Sequence, residues 1–392
     1  MSKYLGKPVA ALAQCPSQSH EAFTEIAAIV MDIGTGYTKA GFAGDDKPRV
    51  VLRSLVGIPI HQPVHDHNKG PDYYIGNSIP NDPWITKTRV VTNGIVTDWD
   101  ALEMLWHYVF YQELRVAPEE HAILLSDAPL SPITNREKSA ELLFEGFGVP
   151  ALFIAHQTLL SLYSTGRTTG LIIESGLGVS YTAPIHNGYT LPHATFRLDL
   201  AGGCLTEYMG KLLEECGNPF SSEETHIVRN IKETCCYVTH DFQEEMVASE
   251  SDYLTDYELP DGHIITIGNE RFRCPEALFK PQVIGLADPG LHILAMKSLQ
   301  KCKEGIHSEL LNNIVLSGGS SMFPGFAERI QKEIGKLAPN RSKLNVYASP
   351  QRKFSVWIGG SITACLNTFQ SLWVRKKDYE EEGSVIVHRK CF

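Results

Sequence analysis

The chain has 392 residues, an apolar fraction of 43% and a formal net charge of −10 at pH 7. This length exceeds what one small core needs, and it predicts two large lobes or one domain with insertions. The negative charge disfavours nonspecific nucleic-acid binding, and the absence of an apolar run of about eighteen residues predicts no membrane span. The nine cysteines form no CxxC pair, which predicts reduced thiols in a cytoplasmic or nuclear protein.

The first predicted element follows a mixed, turn-rich stretch, and we expect residues 1–26 to form a poorly ordered extension. An apolar run then leads into "MDIGTGYTKAGFAGDD" (31–46), where an acid, glycines, a hydroxyl and a lysine stand close together. Residues 37–42 alternate as a strand does, so the glycines predict a hairpin turn and not the glycine-to-helix turn of a dinucleotide fold. Such a turn is either a phosphate cradle or a plain tight turn.

Helices and strands alternate in the next part of the chain. Asp98 or Asp100 caps one predicted helix, and "HAILLSD" (121–127) predicts the strand that follows it. Thr134 and Glu137 have the spacing of a capping box at the start of another helix. This alternation predicts an α/β sheet.

The opening pattern returns in "LIIESGLGVSYTAPI" (171–185). It repeats the apolar run, the acid and the Gly-x-Gly, here as Glu174, Gly176 and Gly178. The repeat predicts two similar lobes facing one cleft, with two hairpins that bind a polyphosphate through main-chain amides. An acid at each strand end is suited to hold the waters of a Mg²⁺ ion.

A third glycine site lies in "NIVLSGGSSMFPGFAERIQKEIGKL" (313–337). It predicts a strand, the pair Gly318 and Gly319, and a helix that begins near Pro324. The predicted buried stripe of that helix comprises Phe326, Ile330, Ile334 and Leu337. The glycine pair lets the backbone lie flat against a ligand such as a purine with its ribose, and the alternative is a plain packing turn.

With these three sites in this order, the chain resembles the actin family from about Ala27 to Phe392. The resemblance is carried by "KAGFAGDDKPR", "GIVTDWD", "ELRVAPEEH", "NREK", "LSLYSTGRTTG", "RLDLAGG", "ELPDG", "ITIGNERFRCPEALF", "LSGGSSMFPGF", "KFSVWIGGSI" and "VHRKCF". It implies an α/β, actin-like two-lobed ATPase fold, each lobe with a ribonuclease-H-like mixed sheet and the nucleotide in the cleft between the lobes. The implied first lobe is 27–160 plus 355–392, with a small subdomain at about 53–90. The second is 161–354, with a small subdomain at about 202–280.

The resemblance also implies ATP or ADP as ligand, with Mg²⁺ or alternatively Ca²⁺. Asp32 and Glu174 would hold the cation through water, and Gln157 matches the glutamine that positions the attacking water. The implied nucleotide-binding residues are Gly34, Thr35, Gly36, Tyr37, Lys39, Gly176, Gly178, Val179, Gly202, Lys232, Glu233, Gly318, Gly319, Ser320, Met322, Phe323 and Lys353.

The chain departs from the actin pattern in the second hairpin. Glu174 stands where actins have an aspartate, and the added methylene moves the carboxylate by about 1.5 Å. Leu177 replaces a second aspartate, and Tyr181 replaces a histidine of the water-positioning network. Because attack on a phosphoryl group depends on positioning and electrostatics, we predict at most a weak ATPase. The alternative is that Glu174 and Tyr181, acting through ordered waters, compensate for the aspartate and the histidine that actins have at these positions.

Of the two surfaces that actins use for assembly and for partner binding, the first is changed in this chain and the second is kept. The loop at 61–72 matches the subunit-grasping loop in place, but its tip "HDHNKGPD" is polar, which disfavours ordinary actin filaments. A groove formed by Gly166, Ile362, Leu366 and Leu372 matches the one that takes amphipathic helices in actins. The alternative is that these residues pack internally.

The glutamate, the "GVSY" stretch (178–181) and the N-terminal extension are similar to testis-type actin-like proteins of the sperm-head cytoskeleton. We therefore expect a structural protein of the cytoplasm and cytoskeleton, with a role in spermatogenesis, that binds adenine nucleotide. Its expected partners are cytoskeletal or actin-binding proteins, with actin or related subunits as further candidates, and no nucleic acid directly. The alternatives are an active, filament-forming actin and a nuclear subunit of a chromatin-remodelling assembly.

Overall fold

The structure is a computed structural model that describes residues 26–60, 71–338 and 343–391. The predicted N-terminal extension and most of the loop at 61–72 lie outside these residues. The chain divides into two compact units, with one division between Thr168 and Thr169 and another between Lys353 and Phe354. Unit 1 is Met1–Thr168, Asn187–Tyr189 and Phe354–Phe392, and unit 2 is Thr169–His186 and Thr190–Lys353.

In chain order, the strands of the described residues are β1 Ile29–Ile33, β2 Tyr37–Phe42, β3 Val50–Arg53, β4 Leu55–Pro59, β5 Tyr74–Ile75, β6 Ile85–Arg89, β7 Val91–Thr92, β8 Ile95–Val96, β9 Ile123–Asp127, β10 Ala151–His156, β11 Gly170–Ser175, β12 Ser180–His186, β13 Tyr189–Thr190, β14 Phe196–Leu198, β15 Thr255–Glu258, β16 Ile264–Ile267, β17 Ile314–Ser317, β18 Val346–Tyr347 and β19 Val374–Arg375.

The α-helices of the same residues are α1 Trp99–His107, α2 Ile133–Glu141, α3 Gln157–Tyr163, α4 Gly202–Glu215, α5 Thr225–Cys235, α6 Phe242–Met246, α7 Glu250–Tyr253, α8 Glu270–Glu276, α9 Leu291–Gln300, α10 His307–Asn312, α11 Phe326–Leu337, α12 Ser355–Ala364, α13 Lys376–Glu382 and α14 Ile386–Lys390. Two π-helical turns, Tyr108–Leu114 and Leu142–Gly146, continue α1 and α2.

The main sheet of unit 1 has the strand order β19-β10-β9-β1-β2-β3. β1 pairs antiparallel with β2 and parallel with β9, and β9 pairs parallel with β10. Every residue of β1 is buried, which is typical of a strand whose sheet is covered on both faces. A smaller sheet in the order β5-β4-β6 belongs to the same unit.

Close packing of α12 on α3 depends on one glycine. A Cβ added at Gly359 would meet the carbonyl oxygen of Leu160 far inside van der Waals contact. Glycine at this position therefore lets the two helix backbones approach each other, and both helices stay close to the main sheet of unit 1.

The main sheet of unit 2 contains the order β12-β11-β17-β18, with β14 paired to β12. β11 pairs antiparallel with β12 and parallel with β17. This repeats the arrangement of β1 with β2 and β9, so each unit has a hairpin followed by a parallel strand. The predicted α/β class with a mixed sheet in each half of the chain is confirmed.

Three local predictions have different outcomes. Asp98 is confirmed as the cap of α1, since its carboxylate accepts a hydrogen bond from Ala101 N at 2.9 Å. The capping box at Thr134 is wrong, because α2 begins at Ile133 and Thr134 lies within the helix. The predicted stripe of α11 is wrong at Leu337, whose side chain at the helix end is 49% exposed.

Within the described ranges, no helix is long and apolar enough to cross a membrane.

Candidate functional site

The first hairpin, in unit 1, closes its turn with a backbone hydrogen bond from Gly34 N to Tyr37 O at 3.1 Å. Ser54 holds the carbonyl groups of the turn, since its Oγ donates to Gly34 O at 2.7 Å and its N donates to Gly36 O at 3.1 Å. Among the described residues, no backbone acceptor takes the amides of Thr35 and Gly36. The carbonyl groups of Gly34 and Gly36 are therefore occupied, whereas the amides of Thr35 and Gly36 are not used by the backbone of the described residues.

The side chain of Thr35 fixes the same turn to a neighbouring one. Its Oγ1 accepts a hydrogen bond from Gly94 N at 2.9 Å. Asn93 and Gly94, between β7 and β8, both have positive φ, at 47° and 78°, and asparagine and glycine are the residues that adopt this region most readily. The first hairpin is thus supported from two loops of unit 1.

Three donors surround the carboxylate of Asp32, which is 2% exposed. Lys39 Nζ lies 2.7 Å from Oδ2, and Ser126 Oγ lies 2.8 Å from Oδ1. Gln157 Nε2 lies 3.4 Å from the same Oδ1 and 3.3 Å from Ser126 Oγ. The structure thus brings Asp32, Lys39 and Gln157 together.

Ser126 is a site residue that the sequence reasoning missed. It lies in β9, whose parallel register with β1 pairs Leu125 with Met31, so Ser126 and Asp32 come next to each other along the two strands. The signal was available in "HAILLSD", because a polar residue at the end of a buried strand reaches the same sheet edge as its parallel neighbour.

The second hairpin, in unit 2, closes in the same way, from Gly176 N to Val179 O at 3.1 Å. Gly176 O accepts from Gly202 N at 3.0 Å and from Ser320 Oγ at 2.7 Å. The hairpin is therefore fixed to the start of α4 and to the third glycine site, and the carbonyl group of Gly176 is turned toward these two elements.

The next peptide of this hairpin is held similarly. Leu177 O accepts a hydrogen bond from Gly203 N at 2.6 Å. Over the described ranges, neither Leu177 N nor Gly178 N donates to a backbone carbonyl. Two residues that depart from actins lie on the adjoining strands, since Glu174 and Tyr181 pair across β11 and β12 and are 9% and 2% exposed.

The third glycine site depends on Gly318, which has a φ of +88°. A Cβ at this position would approach the carbonyl of Ser175 closer than the 3.0 Å that real Cβ atoms keep. Gly319 is exposed and begins a 3₁₀ turn that ends at Met322, which is half-buried. Phe323 is 7% exposed and belongs to the core of unit 2.

Lys232 is buried with only 3% of its surface exposed. Its Nζ donates to Gly202 O at 2.7 Å and to Thr206 Oγ1 at 2.9 Å, both in the first turns of α4. Burial lowers the pKa of this lysine. Lys232 thus lies beside the second hairpin, whereas the predicted contacts Glu233 and Lys353 are exposed.

The predicted partner groove lies within unit 1. Ile362 on α12 is 44% exposed, and Gly166 is exposed with a φ of +70°. Leu366 and Leu372 are half-buried and pack against the core of unit 1. The set therefore combines one exposed apolar side chain with two that contribute to the core, and its role in partner binding stays a prediction.

The comparisons with known proteins agree with this geometry. The actin family model matches residues 23–392, and the chain belongs to the actin family. The chain is 45% identical over 370 residues to actin-like protein 7B of Mus musculus, covering 94% of this chain and 88% of that protein. It is also 45% identical over 366 residues to actin-like protein 7A of Rattus norvegicus, covering 93% of this chain and 83% of that protein. The predicted resemblance to a divergent actin-related protein is confirmed.

Proposed function

We propose that this actin-related protein of cytoskeletal type binds ATP or ADP with a divalent cation, hydrolyses it very slowly and acts through protein partners. The observation that carries the proposal is the shared form of the two hairpins. In both, the first glycine amide closes the turn and the carbonyl groups are held by neighbouring donors. The remaining amides suit the oxygens of a phosphate, which is a strong acceptor.

The residues around Asp32 fit a cation that is held through water. Mg²⁺ keeps several waters and uses one or two carboxylates together with substrate phosphates. The described ranges hold no cluster of three or more His, Cys, Asp or Glu residues that could hold a metal ion. When bound, the cation neutralises charge on the phosphates. Lys39 forms an ion pair with Asp32 at 2.7 Å and adds a positive charge at the first hairpin.

Slow hydrolysis follows from the side chains near the second hairpin. Leu177 has no polar group to position a water, and Tyr181 is 2% exposed and sits in the sheet. Gln157 remains, and its amide nitrogen is anchored on Asp32 and Ser126. A single positioned polar group contributes about 10²–10⁴-fold to such a reaction, so the two replacements account for a large loss of rate.

Two measurements test this proposal. The first is to denature the purified protein and identify the released nucleotide; a preparation that holds none under Mg-ATP would refute nucleotide binding. The second compares phosphate release by the wild type, by Leu177→Asp/Tyr181→His and by Leu177→Met/Tyr181→Phe, the control variant that restores no polar group at position 177 and no imidazole at position 181. We expect a gain of about 10-fold or more for the first variant only. A wild-type rate equal to that of ordinary actin would contradict slow hydrolysis.

Partner binding is proposed for the groove at Ile362. An exposed isoleucine, with two half-buried leucines later in the same part of the chain, suits the apolar face of an amphipathic helix. Ile362→Asp should weaken capture of cytoskeletal partners, whereas Leu337→Asp, at another exposed apolar position, should not. Sedimentation with Mg-ATP tests the alternative of ordinary filaments.

The cellular role that we propose is in the cytoskeleton of the developing sperm head. The support is the similarity of Glu174 and the "GVSY" stretch to testis-type actin-like proteins. Immunolocalisation in germ cells, together with cell fractionation, tests it. Recovery in the nucleus with chromatin-remodelling subunits would instead favour the nuclear alternative.

A further inference from the structure

A small cavity with a mixed apolar and polar lining lies inside unit 1, next to the carboxylate site but distinct from it. Its volume is about 30 Å³, and its polar lining includes Trp106, Ser126, Asp127, Asn135 and Arg136. A buried water needs about 10–15 Å³ of such space. The cavity therefore has room for about two waters.

Two buried donors on the cavity lining have no acceptor in the protein. Trp106 is 0% exposed, and in the described part of the chain its Nε1 has no hydrogen-bond acceptor. The same holds for the buried Nδ2 of Asn135. Buried donors are almost always paired with protein or with ordered water. Two of them on one cavity indicate a ligand that accepts hydrogen bonds.

The rest of the lining decides which acceptor fits. Asp127 also lines the cavity, and its carboxylate forms an ion pair with Arg136. The distance between Arg136 Nε and Asp127 Oδ2 is 2.7 Å. Because Asp127 and Arg136 neutralise each other, the lining carries no net positive charge that would hold a halide ion, which can only accept hydrogen bonds. A water accepts from the indole and the amide, and it also donates to carboxylate or hydroxyl oxygens.

We propose that this cavity is a binding site for ordered water, which accepts hydrogen bonds from Trp106 Nε1 and Asn135 Nδ2. The site borders the candidate cation carboxylate through Ser126, which lines the cavity and donates to Asp32 at 2.8 Å. The proposal does not depend on nucleotide binding, since all the groups that hold the water belong to the protein.

The test observes the indole proton of Trp106 directly. The full chain, deuterated and labelled with ¹⁵N-tryptophan, gives five indole signals, one for each tryptophan. We expect a dipolar cross-peak between the Trp106 indole proton and water, with the sign of a long-lived bound water. Trp357 is the matched control, because it is equally buried and its Nε1 donates to Val30 O at 3.0 Å. Its indole proton should show no such cross-peak.

The Trp106→Phe variant identifies which of the five indole signals belongs to Trp106, because that signal is lost. If that variant does not fold, phenylalanine at each of the other tryptophan positions in turn assigns Trp106 by elimination. A Trp106 signal without a water cross-peak would mean a dry cavity and would overturn the proposal. A Trp106 signal that moves when chloride is replaced by iodide would overturn it in favour of an anion. A cross-peak that is unchanged by the halide supports it.

Discussion

Replacing Gly318 by alanine is the most direct test of how the second hairpin and the third glycine site are held together. Gly318 has a φ of +88°, and an added Cβ would collide with the carbonyl oxygen of Ser175 at the end of β11. The neighbouring atom is backbone, so it has little freedom to move away.

The expected cost has two parts. With a φ of 88° and a ψ of 158°, Gly318 has a backbone conformation that is essentially restricted to glycine, and another residue in it costs about 1–3 kcal/mol. Forcing an extra methyl group into a packed place costs about 1–3 kcal/mol more. Gly318→Ala should therefore lower the free energy of unfolding by about 2–6 kcal/mol.

Urea unfolding, followed by far-UV circular dichroism, measures this loss. Gly335→Ala is the matched control, since Gly335 lies within α11 and no atom lies within 4 Å of an added Cβ. That variant should be more stable than the wild type by about 1 kcal/mol, because alanine is the better helix former. A Gly318→Ala protein within about 0.5 kcal/mol of the wild type, the scatter typical of neutral surface changes, would refute the packing described for this site.

Two further predictions concern buried charge. Arg329 forms a two-pronged ion pair with Glu276 at 3.0 Å, and the side chains are 4% and 1% exposed. Arg329→Met removes both charged hydrogen bonds from the buried Glu276 carboxylate and leaves it only the more distant Lys280 Nζ at 3.7 Å. It should lower the free energy of unfolding by about 3–5 kcal/mol in urea melts; a loss under about 1 kcal/mol would contradict it. Burial, together with the nearby charge of Arg136, lowers the pKa of His156 from 6.5 to about 3. Because the unfolded chain then binds the proton that the folded chain rejects, stability should fall as the pH drops below 6.5, by up to about 1.4 kcal/mol per pH unit. His156→Phe should remove this part of the decline in urea melts between pH 7 and pH 5, and equal slopes for the two proteins would contradict the assignment.

Local sequence patterns predicted the elements where one periodicity dominated. The alternation in 37–42 gave β2, and the capping residue Asp98 gave the start of α1. The prediction failed at Thr134, because the N-cap is Pro132 and the helix begins two residues earlier than the capping-box spacing suggested. It also failed at Leu337, whose side chain is exposed at the end of α11. The buried face of this helix includes the charged Arg329, which the predicted apolar stripe did not contain.

The candidate site was predicted in part for a similar reason. The glycines, the acids and Lys39 were visible because they stand together in short motifs. Ser126 and Ser54 were not, since Ser126 lies in β9 and Ser54 lies between β3 and β4, and they meet the first hairpin only through sheet register and a loop. No pattern of spacing in the chain indicates which side chain holds a carbonyl group of a distant turn.

By itself, the sequence determined the α/β class, the repeated hairpins and the membership of the actin family, because glycine turns, alternation and ordered motifs are local properties of the chain. Only the tertiary structure decided that Ser54 and Ser320 turn the hairpin carbonyls inward, and that Trp106 and Asn135 are left with buried donors on one cavity. These features arise from contacts between residues far apart in the chain, and their hydrogen bonding is settled only when packing excludes bulk water from the groups concerned.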